Sequence, residues 1–386
     1  MNKQVLFVPA ILFVLCFQTG AQNSKPQTGS DKYVLVEGHK MHYQTAGTGS
    51  PTVIFESGHA STLEDWRDIF PAVAKMTRVV CYDRPGMGSS AESAKPRTYK
   101  QIVLELHSML QQAKIPPPYI LVGHSMGGGL IRAFASDYRS EVAGMVFVDP
   151  LFENMFKGID PAELNKELLF MDSIMKNESI TIQREHTMMR NEATTGFAEL
   201  RSFELPDVPT ALLVAGKDRP PGWTNGLIDL YQEKFQRLSD SRLIVLSQSP
   251  HYIQAYEPAS IIEAIKKVLY PDPLAILRKE WRANGVDAAI AQFKKMRLRY
   301  PNELLPEPVL NRLGYDVLRN DPTGAIRLFS LNASLYPKSS NVYDSLGEAY
   351  MVTGNKNEAI KNYQLSLSLN AKNENAKEAL KKLKEK

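Results

Sequence analysis

The stretch that most constrains this chain is residues 118–129. Tyr119, Ile120, Leu121 and Val122 form a short, continuous apolar run rich in β-formers. That is the pattern of a strand covered on both faces in a parallel sheet. From Leu130 the pattern changes: Leu130, Ile131, Phe134, Ala135 and Tyr138 recur every three to four residues, which predicts a helix. Between strand and helix lies Gly123-His124-Ser125-Met126-Gly127. A serine held in a sharp strand-to-helix turn needs neighbours without a Cβ, so that the two elements can approach closely. The turn lifts the hydroxyl above the sheet, and the helix N-terminus adds a positive dipole end beside it.

The rest of the first 270 residues alternates strand and helix patterns around this unit, so an α/β fold is expected. Residues 33–37 and 41–45 flank Gly38 and read as an antiparallel hairpin, with His39 and His42 expected at the surface. Residues 52–55 form a buried strand that ends in Glu56-Ser57-Gly58-His59-Ala60-Ser61, and Trp66 is expected to pack. Residues 78–82 form the next strand, followed by Asp83-Arg84-Pro85-Gly86-Met87-Gly88-Ser89-Ser90. A helix carrying Ile102, Leu106, Met109 and Leu110 stops before Pro116-Pro117-Pro118. After the serine turn, a strand over 142–148 ends in Asp149-Pro150, one over 210–214 ends near Asp218, and the last, 243–246, precedes Ser249-Pro250-His251. Ligands bind at the carboxyl ends of such strands, which makes these loops the candidate functional positions.

Gly123-x-Ser125-x-Gly127 in strand–turn–helix context, with Asp83-x-x-Gly86-x-Gly88-x-Ser90 after the neighbouring strand, resembles the α/β-hydrolase superfamily in its serine-nucleophile, lidded branch. The resemblance implies an α/β-hydrolase sheet with a helical lid over about 151–206, and a triad in the order Ser125, Asp218, His251. Asp149 is the alternative acid, because some relatives carry it after the strand before the lid. The resemblance further implies an oxyanion hole from the backbone N–H groups of His59 and Met126, and a bracing role for Asp83 and Arg84. The methionines of the insertion, Met171, Met175, Met188 and Met189, are expected mostly to form the lid's own core. A serine at the turn sets the chain apart from the dehalogenases and epoxide hydrolases of this fold, which use an aspartate there. Hydrolysis of a carboxylic ester, with a small-molecule or lipid-like substrate, is the leading expectation, and no metal or cofactor is indicated. The alternatives are a proline-iminopeptidase-like peptidase, for which Glu153 or Glu178 could hold the amino group, and a catalytically dead scaffold acting through the C-terminal segment.

That segment repeats. Ala289-Ile290-x-x-Phe293, Ala325-Ile326-x-x-Phe329 and Ala359-Ile360-x-x-Tyr363 align at spacings of 36 and 34 residues, and Leu313-Gly314 and Leu346-Gly347 occupy equivalent places upstream. Small residues at helix crossings with this period resemble tetratricopeptide repeats, an all-α array. Such an array implies a groove for a peptide or protein partner or, as readily, a packing or dimerisation module.

At the other end, Lys3, the apolar run 5–17 and Thr19-Gly20-Ala21 read as a signal peptide, predicting a secreted or periplasmic protein. An uncleaved segment would leave it membrane-anchored; otherwise no stable membrane span is expected. Cys81 would then be the only cysteine left, excluding an intramolecular disulfide, and its apolar neighbours mark it as core. A net charge of +4, with its excess after Asp272, gives no reason to expect nucleic acid. The expected organisation is a signal peptide at 1–21, a leader at 22–32, an α/β domain at 33–272 and helical repeats at 273–386.

Overall fold

The computed structural model describes residues 29–385, apart from 154, 157, 158, 220, 221 and 300–304. The expected signal peptide and residues 22–28 of the expected leader lie outside the described residues, and the leader's last residues, 30–32, belong to the first strand instead. The chain divides after Leu269 into two compact units.

The first unit is built on eight strands: β1 (Ser30–Val36), β2 (His39–Ala46), β3 (Thr52–Glu56), β4 (Val79–Tyr82), β5 (Tyr119–His124), β6 (Val142–Val148), β7 (Thr210–Ala215) and β8 (Ser241–Leu246). Their order in the sheet is β1-β2-β4-β3-β5-β6-β7-β8. The first hairpin joins antiparallel to β4, and every later pairing is parallel. The chain steps from β3 outward to β4, then crosses to the other side for β5. The carboxyl ends of β3 and β5 therefore flank the point where the order reverses, the place where open sheets of this kind form a crevice.

Both faces of the sheet are covered, as the unbroken apolar strands require. Ile54, Leu121, Met145 and Leu212 pack into one buried layer, and their neighbours Val53, Phe55, Ile120, Val122, Val146 and Leu213 into the other. The period of two along each strand assigns the layers. The helices of this unit are α1 (Phe70–Ala74), α2 (Tyr99–Gln112), α3 (Met126–Asp137), α4 (Pro161–Met175), α5 (Ile180–Thr194), α6 (Ala198–Ser202), α7 (Trp223–Leu230), α8 (Ile253–Tyr256) and α9 (Pro258–Leu269). Cys81 is a buried free thiol, and Trp66 stacks on Phe55 at 4.6 Å while donating its indole N–H to Ser57 Oγ. His39 and His42 are buried rather than exposed, because β2 is an interior strand paired on both edges. The His42 ring spans Asp83 Oδ2 at 2.7 Å and Asp31 Oδ1 at 3.0 Å.

The second unit contains α10 (Pro273–Arg299), α11 (Glu307–Leu318), α12 (Pro322–Leu335), α13 (Ser340–Val352), α14 (Lys356–Leu369) and α15 (Glu374–Lys384). Gly285, at φ 84°, breaks α10 into two helices. Each helix packs on the next in sequence. Two crossings repeat: a Cβ on Gly314 would come within 2.4 Å of the Phe329 ring, and one on Gly347 within 3.1 Å of the Tyr363 ring. Side-chain caps recur as well, from Asp321, Asn355 and Asn373, each accepting from the N–H three residues on. Among the described residues, no helix is long and apolar enough to cross a membrane.

Candidate active site

Ser125 sits directly between β5 and α3 with φ 53° and ψ −119°. A serine held there costs about 1–3 kcal/mol, so the surroundings must over-determine it. They do. Its N–H donates to Val148 O at 3.1 Å, and its carbonyl accepts from Gly128 N and Leu151 N, both at 2.9 Å. A Cβ on Gly123 would stand 2.4 Å from Gly127 O, and one on Gly127 would stand 2.3 Å from Glu56 O. Only glycine at both positions lets the turn close. The Ser125 hydroxyl is buried and has no hydrogen-bond partner among the described residues.

His251, after β8, donates from Nδ1 to Asp149 Oδ2 at 2.6 Å. This fixes the tautomer: Nδ1 carries the proton and Nε2 presents its lone pair. That Nε2 is also buried without a partner among the described residues, and Ser125 and His251 line the same cavity. Burial, with the nearby Arg219 charge, holds the imidazole below its ordinary pKa despite Asp149. The carboxylate is itself fixed, Oδ1 accepting from Ala215 N at 3.0 Å. The acid brought to the histidine is thus Asp149, after β6, and the expected Asp218 is exposed to solvent. The reason is one of phase. Asp218 turns outward at φ 54°, and the next residue, Arg219, is the one whose side chain enters the site.

The backbone of His251 is anchored by a residue that sequence reasoning passed over. His124 Nε2 lies 3.2 Å from the carbonyl of His251, and His124 Nδ1 lies 3.1 Å from Gln254 Nε2. A carbonyl only accepts, so Nε2 is the protonated nitrogen and His124 is neutral; burial drives its pKa far down. His124 occupies the variable place inside the glycine–serine motif, and Gln254 lies three residues past His251. Neither position carries a signal without the fold.

Arg84 organises the β3 loop. Nη1 donates to Glu56 Oε1 at 2.6 Å and Ser57 O at 2.8 Å. Nη2 donates to Gly58 O at 2.6 Å and Glu185 Oε1 at 2.9 Å, and Nε to Glu185 Oε2 at 3.0 Å. All five N–H groups are used, and the three side chains are almost wholly buried. Tyr82 OH completes Glu56 by donating to its other oxygen. Burial pushes the Glu56 carboxyl above its ordinary pKa, whereas at Glu185 the guanidinium outweighs burial and holds it below. The grip on Gly58 O has a geometric consequence. The Gly58 carbonyl and the His59 N–H share one trans peptide plane and point opposite ways, so pinning the first aims the second away from Arg84. Gly58 lies against the nucleophile, where a Cβ would stand 3.5 Å from Ser125 Cβ. Asp83 braces the same loops, accepting from Leu63 N and Ser89 N and holding His42.

Helices α4 to α6 cover this end of the sheet. Leu168 of α4, His186, Met189, Arg190 and Ala193 of α5, and Phe197 join Leu151, Phe156 and Trp223 in walling the Ser125 cavity, which leaves about 30 Å³ of room. That is space for about one water and far below the several hundred Å³ of a drug-sized site. Met171 and Met175 are buried within the insertion, while Met189 faces the cavity. The His59 ring is buried in the cavity wall with both nitrogens unpartnered among the described residues, and burial takes its pKa down to about 4. Glu153 is committed to Arg132 and Lys234, and Glu178 is exposed. Among the described residues no cluster of three or more His, Cys, Asp or Glu side chains is placed to hold a metal ion.

The fold of the first unit is the α/β-hydrolase fold. Residues 51–173 match the model of the family described as alpha/beta hydrolase fold. Among curated proteins, the chain is similar to the uncharacterised protein YqjL of Bacillus subtilis, 33% identical over 121 residues, covering 31% of this chain and 48% of that one. It is also similar to a soluble epoxide hydrolase of a Corynebacterium species, 34% identical over 121 residues, covering 30% and 40% of the two chains. The chain thus spans less than half the length of these relatives. Among solved structures, the Cif epoxide hydrolase of Acinetobacter nosocomialis superposes with a TM-score of 0.50 at 17% identity, over 64% of this chain and 91% of that one. At that identity the likeness is one of fold.

Proposed function

We propose that the first unit is a serine hydrolase that cleaves a carboxylic ester or a related acyl bond. The observation that carries the reading is the pairing of His251 Nδ1 with Asp149, while His251 Nε2 and Ser125 Oγ stand unpartnered in one buried cavity. Nε2 takes the Ser125 proton as Oγ attacks the acyl carbon. The imidazolium that forms is stabilised by Asp149 and returns the proton to the departing alkoxide. Water then attacks the acyl-serine by the same proton route in reverse, releasing the acid. The backbone N–H groups of His59 and Met126 hold the oxyanion in both steps. A hydroxyl at residue 125, in place of a carboxylate, favours acyl transfer over the activity named for the epoxide-hydrolase relatives. Glu153 is paired through Oε1 with Arg132 and Lys234, Glu178 is exposed, and neither lines the Ser125 cavity, which favours an ester over an aminopeptidase substrate.

The test is hydrolysis of p-nitrophenyl esters of increasing acyl length by wild-type protein and Ser125→Ala, with fluorophosphonate labelling of Ser125. Turnover and labelling that both vanish in the variant are expected. A wild-type protein inert to esters and probe alike would instead be a scaffold. For the second unit, the recurring Gly314–Phe329 and Gly347–Tyr363 crossings support a tetratricopeptide-like array that presents a surface to a peptide or protein. Residues 1–21 are proposed to direct export; the N-terminal sequence of the protein recovered from a secreting host tests this.

A further inference from the structure

Arg219 is a charged group in the cavity wall that the proposed chemistry does not use. Its side chain is 5% exposed, yet Nε and Nη2 make no hydrogen bond among the described residues. Nη2 approaches Asp149 Oδ2 at 2.8 Å as an ion pair, but that oxygen is already held by His251 Nδ1 at 2.6 Å. The guanidinium lies over the Trp223 ring at 4.2 Å. Stacking uses the flat face of a guanidinium and leaves its edge, where Nε–H and an Nη–H point the same way, free to grip a planar anion with two parallel hydrogen bonds. A buried cation with an unsatisfied edge is costly unless a ligand completes it.

The other cation of the cavity, Arg190, is tied to Asp172. One open fork, beside the neutral His59 ring in a largely apolar cavity, matches a carboxylate. A phosphate dianion would call for further cations.

Resting on the serine-hydrolase reading, we propose that the substrate is an ester whose acyl half ends in a carboxylate, as in a half-ester of a short dicarboxylic acid, and that Arg219 binds that carboxylate through Nε and Nη2. The aliphatic stretch between the two carbonyl carbons then lies against Leu151, Met189 and Trp223.

The experiment compares mono-p-nitrophenyl glutarate with the neutral p-nitrophenyl pentanoate, using the full chain and Arg219→Gln. Wild-type kcat/KM is expected to favour the anionic ester by at least about tenfold, a lower bound beneath the roughly 10⁴-fold by which a site built to hydrogen-bond a group can reject an analogue lacking it. Arg219→Gln is expected to erase that ratio, whatever its effect on either ester alone. Loss of activity on both esters in equal proportion would make Arg219 a positioning residue for Asp149 and overturn the proposal. A second readout needs no turnover: free glutarate at millimolar concentration is expected to slow fluorophosphonate labelling of Ser125 in the wild type but not in Arg219→Gln. Labelling that glutarate leaves unchanged overturns the carboxylate assignment alone, whereas absence of any labelling overturns the serine-hydrolase reading with it.

Discussion

The two units spend their sequence differently. In the helical unit, among the described residues, positive φ occurs only at glycines, Gly285 and Gly354. Its buried polar atoms without a partner are two amide oxygens, those of Asn311 and Asn332. In the sheet unit, Ser125, Asp149 and Asp218 all carry positive φ without being glycine, and the unpartnered buried atoms include Ser125 Oγ, His251 Nε2, both nitrogens of His59, and Arg219. Among the strained residues and unmet hydrogen bonds of the sheet unit, these lie together at the carboxyl ends of β3, β5, β6, β7 and β8, while the helical unit obeys local rules nearly throughout. The difference teaches where to look for chemistry. A region that satisfies every local preference is built to be stable, and one that breaks several within a few ångströms is held together for another purpose.

The comparison can be tested from its strongest contrast downward. Replacing the histidine's acid, Asp149→Asn, should cost on the order of 10⁴ in kcat on an ester the wild type cleaves, since the wrong tautomer would then be allowed. Asp218→Asn should change kcat by less than about threefold, as expected for an exposed side chain. Steady-state kinetics of both variants decides it, and the reverse ranking would return the acid to Asp218. Next in size, Arg84→Ala strands Glu56 and Glu185 as buried unpaired carboxyls. Breaking such a pair costs about 3–5 kcal/mol, which denaturant unfolding of the sheet unit would read. A loss below about 1 kcal/mol would show that water or a neighbour replaces the guanidinium.

The third contrast is in pH. Burial lowers the folded pKa of His59 to about 4 from the ordinary 6.5. The unfolded state therefore binds more protons between these values. The neutral ring's contribution is present above pH 6.5 and is lost as pH falls toward 4, on the order of 3 kcal/mol in all. His59→Gln should flatten the stability–pH curve of the sheet unit in that window; an unchanged slope would rule out His59 as its source. The depressed pKa of His251 has the same sign and should let ester turnover persist somewhat below pH 6.5 before its acid limb begins.

The smallest effect belongs to the helical unit. Gly314→Ala gains about 1 kcal/mol of helix propensity but drives a Cβ to 2.4 Å from Phe329. Overpacking of that kind costs about 1–3 kcal/mol, so the balance falls on destabilisation. Thermal unfolding should show a lowered midpoint for the helical unit, with kcat/KM on an ester unmoved at ambient temperature.

Much of this was legible in the sequence because it is local. The apolar run at 119–122, the glycines at 123 and 127 and the helical period after Leu130 specify the serine turn without reference to anything distant, and the loop after the last strand offers His251. The acid was not legible in the same way. Asp149 and Asp218 both end strands next to each other in the sheet, and the choice depends on whether a side chain one residue past a turn faces in or out. His42 was misread for a related reason: a strand's burial depends on its partner, and the pairing of β2 with β4 joins residues some forty positions apart. Arg84 and Arg219 were read respectively as a brace and not at all, since nothing local distinguishes an arginine that forks onto five acceptors, or stacks on an indole, from one in solvent.

One consequence of the Arg84 fork concerns time. The same guanidinium holds the Gly58 carbonyl, and with it the aim of the His59 amide, and the Glu185 carboxylate of a covering helix. A cavity with room for about one water admits no ester until the covering helices shift, and shifting α5 pulls Glu185 from the clamp that orients the loop. Entry and chemistry are thus assigned to alternating intervals, as with a shutter that exposes the film only after it has closed on the subject. On the serine-hydrolase reading, turnover then includes the opening and closing of that shutter as well as the bond-breaking step.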